Sequence, residues 1–193
     1  MDFNTLFDKI KDKSPLVVIP EKRIERAKLF VEKVIEAKKI EKHHIIDDNQ
    51  IYKRFYTGVL GELAIEQILK RKFINWAIGD SINFHTADLS KFGFNVGIKT
   101  VEEGKFPIIF KKSNYPEIIN IKKSDNEVYV CGIASSNILN TYQDDKFILD
   151  NQLLERGTKT AFVGLDKLEQ FSTVEEFLFK YKNILLNEYI INI

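Results

Sequence analysis

A single cysteine in 193 residues removes two chemistries at once. Cys131 cannot close an intramolecular disulfide, and no multi-cysteine zinc site can be built around it. Its setting, Val128-Tyr129-Val130-Cys131-Gly132-Ile133, reads as a buried strand, where a thiol is a core atom rather than a nucleophile. An excess of one charge is also missing. Lys and Arg number 29 against 28 Asp and Glu, so net charge announces no nucleic-acid partner and patches must carry that argument. No apolar run approaches the ~20 residues of a membrane helix. The opening Met1-Asp2-Phe3-Asn4 lacks the basic and apolar regions of a signal peptide. These absences predict a soluble, cytoplasmic protein with no membrane partner. Internal repeats and low-complexity linkers are absent as well, and the length suits one domain with a sizeable core.

What is present is helical at both ends and strand-rich in the middle. Pro20 and Glu21 open a helix to about Lys39, with Ile24, Ala27, Val31, Val34 and Ile35 at helical spacing. Asp47 or Asp48 caps a second helix through about Lys70. Strands are predicted over 73–78, 82–84, 94–101, 108–110, 128–134 and 161–165, where β-branched and aromatic residues gather. Ser172 with Glu175 forms a capping-box pattern ahead of Val174, Phe177, Leu178, Tyr181 and Leu185. The order predicts an α/β protein, a mixed central sheet flanked by helices.

Within that frame one strand asks for a partner. On Asn95-Val96-Gly97-Ile98-Lys99-Thr100-Val101, side chains alternate, so Gly97, Lys99 and Val101 share one face. Lys99 is a lone charge on a half-buried strand, and an unpaired buried ammonium is costly. It therefore needs a carboxylate, a metal cluster or a phosphate, and Glu62 and Asp88 are the sensible companions. Glu62 lies in the helical run Thr57-Gly58-Val59-Leu60-Gly61-Glu62-Leu63-Ala64-Ile65-Glu66. Gly58 and Gly61 weaken a helix and so imply close packing or access to a site. Plainer readings make Glu62 a solvated helical acid, Asp88 a turn residue and Lys99 an edge protector. His85 suits a structural role beside Asp88, and His43-His44 a helix C-terminus.

A glutamate on a first helix, an aspartate, then a strand lysine resembles the PD-(D/E)XK nuclease superfamily, the restriction-endonuclease-like group. Gly61-Glu62 matches its helix element, Asp88 its aspartate and Lys99 its lysine, across roughly residues 50 to 135. Two positions depart from the pattern: Ala87 stands where a proline is usual, and Gly97 where an acid is usual. The resemblance implies a restriction-endonuclease-like core over 47–170, an N-terminal helical segment over 1–46 and a C-terminal helix over 171–193. It implies a Mg²⁺-dependent DNA endonuclease, of type II restriction or phage type, with catalytic Glu62, Asp88 and Lys99. The alternative is a catalytically silent nuclease-fold DNA-binding protein.

Phosphodiester cleavage suits a hard divalent ion held by few oxygens. Asp88, Glu62 and the Ile98 carbonyl would hold Mg²⁺, with Mn²⁺ able to substitute, and Lys99 would orient the attacking water. For the acid missing at Gly97, Glu62 is the preferred substitute; Glu66 lies on the same helical face. Glu102 and Glu103 are the remaining choices. Beyond Lys99 runs a basic, aromatic-interleaved stretch read as a surface hairpin, with Lys105, Lys111, Lys112, Asn114 and Tyr115 as DNA contacts. Lys122 and Lys123 extend it. Cutting both strands would further imply a homodimer.

Overall fold

Four strands make the main sheet in the order β1-β5-β4-β2, in a computed structural model that describes residues 2–39, 48–78 and 86–191. The strands are β1 (Leu16–Val18), β2 (Gly97–Glu102), β4 (Glu117–Lys122) and β5 (Glu127–Ala134). β2 runs parallel to β4, and the other pairs are antiparallel. A second, three-stranded antiparallel sheet joins β3 (Ile108–Phe110), β7 (Lys159–Phe162) and β6 (Gln143–Asp144). The long helices are α2 (Glu21–Lys39), α3 (Asp48–Leu69) and α6 (Val174–Ile191). Shorter ones are α1 (Phe3–Lys11), α4 (Ser136–Thr141) and α5 (Asn151–Arg156). This is the expected mixed α/β sheet flanked by helices. No helix among the described residues is long and apolar enough to cross a membrane.

β4 and β5 are apolar on both faces because both faces are covered. Ile118, Val128 and Val130 pack with Leu60, Leu63 and Ala64 of α3 and Phe177 of α6. Ile119, Ile121, Tyr129 and Cys131 pack on the other side with Phe3 and Phe7 of α1 and Phe162 of β7. Cys131 is a core residue, its thiol pushed up to about 12 chiefly by burial.

Three local expectations are corrected. Residues 73–78 form no strand, because other groups take their backbone and side chains. The Glu66 carboxylate accepts from the N–H groups of Phe73 and Ile74 at 2.6 and 2.9 Å, and Trp76 stacks under Arg26 and against Phe30. The basic stretch is not a hairpin: β3 leaves for the small sheet while β4 enters the main one beside β2. The α6 cap sits one residue later than the sequence pattern suggests. Thr173 Oγ1 accepts from Glu176 N–H at 3.2 Å, and Glu176 reaches back to Ser172 N–H at 2.7 Å. The predicted strand over 82–84, together with His43, His44, Asp47 and His85, lies outside the described residues.

Candidate active site

β2 is an edge strand, and its even-numbered residues point their backbone groups away from β4. Gly97 N–H donates inward to the Pro116 carbonyl at 3.0 Å, whereas Ile98 N–H donates outward to Asp88 Oδ2 at 2.6 Å. In an extended strand a residue's C=O points the same way as its own N–H. The Ile98 carbonyl therefore opens on the free edge beside Asp88. Asp88 is held there by its neighbours: Ala87 and Leu89 are buried, and Leu89 N–H bonds the Val96 carbonyl at 3.1 Å. A left-handed Gly93 (φ 79°) then turns the chain back into β2.

Glu62 arrives from the other direction, on α3. Close contact between helix and strand is possible because position 61 has no side chain. A Cβ there would overlap the Thr100 hydroxyl outright and lie 2.8 Å from Thr100 Cβ. Gly58 meets nothing within 4 Å and instead opens onto a cleft. That cleft, about 530 Å³, is lined by Arg54, Gly58, Glu62, Thr86, Asp88 and Lys91. Glu62 and Asp88 thus share one concavity.

Lys99 projects from the opposite face, with Gly97, and finds a carboxylate the sequence reading did not name. Glu117 of β4 pairs in register with Gly97 and places Oε1 3.6 Å from Lys99 Nζ. Glu117 is 1 % exposed, and its Oε2 has no hydrogen-bond partner. The space above Gly97 is already filled: an added Cβ would lie 2.9 Å from the Tyr115 ring and 3.4 Å from Glu117 Cγ. Tyr115 is therefore part of the site wall. Lys159 of β7 joins this face, stacked 5.3 Å over the Phe110 ring. Burial lowers its proton affinity, and Lys99, Arg54 and Arg156 lower it further.

The carboxylates respond to one another through Asp88. Glu62 is raised to about 8, mainly by burial, with Asp88 and Glu66 adding like charge. Asp88 is raised by burial, although Ile98 N–H and Lys99 oppose the shift. Glu117 is raised by burial and by Asp88, with Lys99 opposing. Protein therefore crowds these acids without supplying enough cation, and a bound divalent ion would relieve that. The donor set and the orphaned Glu117 oxygen fit a hard cation. No ready-made cluster of three or more His, Cys, Asp or Glu side chains exists among the described residues. Glu62 and Glu117 come from opposite faces of β2, and the charge of Asp88 at the edge raises both.

The remaining candidates have other partners. Glu66 is a structural acid, bound to Arg23 as well as to Phe73 and Ile74. Glu102 pairs with Lys105 at 2.6 Å, Glu103 with Lys11 at 3.5 Å, and Lys111 with Asp145 at 2.7 Å. Lys112 and Asn114 are exposed. Lys122 pairs with Asp125 at 2.8 Å and Lys123 with Glu127 at 3.1 Å. Glu117, Lys159 and Arg54 were missed. The only sequence signal for Glu117 was an acid opening the apolar run Ile118-Ile119-Asn120-Ile121. Comparison with family models, curated proteins and solved structures finds no match to this chain.

Proposed function

We propose that the protein is a Mg²⁺-dependent DNA endonuclease of the PD-(D/E)XK kind, restriction- or phage-type, acting in the cytoplasm. The observation that carries the reading is the Asp88–Ile98 bond at the free edge of β2. It sets a carboxylate beside an outward main-chain carbonyl, one residue before Lys99. Asp88, the Ile98 carbonyl and Glu62 would hold the ion. When bound, Mg²⁺ neutralises phosphate charge and acidifies a coordinated water. Lys99 orients that water and donates to the phosphate oxygens on which charge grows. Lys159, half-buried on the same face, holds an adjoining phosphate, and Lys112 and Asn114 meet the duplex further out. One such site cuts one strand, so double-strand cleavage would require a homodimer.

Plasmid incubated with Mg²⁺ or Mn²⁺ should be nicked or cut. Asp88→Asn and Lys99→Ala should each lower the rate at least ~100-fold while the fold survives. Activity persisting in EDTA, or full activity in either variant, rejects the reading. One observation favours a silent DNA-binding protein instead: Lys99 already has a counter-charge in Glu117 at 3.6 Å. A gel shift with no cleavage in either metal would select that second reading.

A further inference from the structure

Gly97 leaves the Lys99 strand without the acid that a divalent ion needs on that face. The vacancy exists in sequence only. In space, Glu117 lies alongside position 97, its Cγ 3.4 Å and its Oε1 3.7 Å from the position of a Cβ on Gly97, both ordinary contact distances. Parallel pairing of β2 with β4 sets Gly97 directly beside Glu117. A Cβ at 97 would come too close to the Tyr115 ring, at 2.9 Å, and would touch Glu117.

We infer that Glu117 is the strand carboxylate of the cation site, supplied from β4 across Gly97 instead of from β2 itself. This rests on the nuclease reading above. The ion would meet Asp88, the Ile98 carbonyl and Glu117, with Glu62 in its outer sphere.

A purely structural Glu117–Lys99 ion pair explains the geometry less well. Buried ion pairs hold when the remaining lone pairs are satisfied. Here the closest approach to Lys99 is 3.6 Å, and Oε2, in a residue 1 % exposed, has no partner. An orphaned carboxylate oxygen in a buried side chain that also feels the charge of Asp88 suits a cation. Among the other acids proposed for this duty, Glu66 is engaged by Arg23, Glu102 by Lys105 and Glu103 by Lys11, while Glu62, the one the sequence favoured, stands on the opposite face of β2 from Lys99.

Mn²⁺ binding measured by isothermal titration separates the possibilities. Glu117→Gln keeps the side-chain shape and an acceptor for Lys99, and should weaken Mn²⁺ affinity at least ~10-fold, the scale on which lost metal-site partners act. Asp88→Asn should do the same, and Glu102→Gln should change nothing. Wild-type affinity in Glu117→Gln, with loss in Asp88→Asn, overturns the Glu117 assignment and leaves the nuclease reading standing. A wild-type protein that binds no Mn²⁺ overturns both. A second measurement needs no variant: Mg²⁺ should shift the side-chain carboxyl ¹³C resonance of Glu117 together with that of Asp88. A shift at Asp88 alone again removes Glu117.

Discussion

At the residue scale, two glutamates one turn apart on α3, Glu62 and Glu66, have similar sequence credentials and divergent surroundings, and environment separates them. Burial, and then the charges of Asp88 and Glu66, raise the Glu62 carboxyl to about 8. Its unfolded value is the ordinary 4.5, so the folded state holds the proton more tightly. That contribution to stability is complete below pH 4.5 and is lost as pH rises through 8. Metal-free wild type should therefore lose thermal stability from pH 5 to 9 relative to Glu62→Gln, with Mn²⁺ reversing the loss. Parallel melting profiles would show that Glu62 is not held protonated. Glu66 is different: it is buried and satisfies two backbone N–H groups and Arg23. Glu66→Ala should cost about 3 kcal/mol in urea unfolding, as expected when a buried network loses one member. Cleavage by the folded fraction should persist, and a fully stable variant would refute the structural role.

Elements divide on two glycines three residues apart on α3. Gly61 touches Thr100 of β2, so Gly61→Ala must push helix from strand, at roughly 1–3 kcal/mol, and displace Glu62. Gly58 meets open space, so Gly58→Ala should stabilise the helix by roughly 0.5–1 kcal/mol. Opposite signs in chemical denaturation are the expected outcome; equal signs would mean α3 does not lie against β2 at this contact. The segment after β3 divides similarly. Lys112 is exposed, whereas Lys111 is already paired with Asp145. If that segment tracks phosphates, Lys112→Ala should flatten the salt dependence of DNA binding by about one unit. Lys111→Ala should flatten it less, because Asp145 has displaced its counterion, and a larger effect at Lys111 would reverse that ranking.

For the whole molecule, the two sheets divide the labour. The main sheet presents β2 as an open edge beside Asp88, and the small sheet brings Lys159 to the face of Lys99 and Glu117. On the nuclease reading, a single such centre would break one strand per encounter. If plasmid is linearised in one binding event, the active species in analytical centrifugation should be a dimer. A monomer that linearises in one event would contradict the homodimer.

Much of this was legible locally. The 3.6-residue periodicity marked α2, α3 and α6, and strand alternation showed that Lys99 stands opposite Ile98 and needs a counter-charge. Asp88 and Glu62 were named as companions for Lys99 and as matches to a family pattern, and the structure places both on one cleft. β4 was not legible, because its apolar run follows a basic, proline-marked stretch that read as surface. Nor could any local rule pair Gly97 with Glu117, since parallel register joins residues whose connection leaves the sheet through β3. The sequence by itself determined the three long helices, the class of fold and the need of Lys99 for a partner. Tertiary structure alone decided which acid answers it, because that depends on two strands being laid side by side.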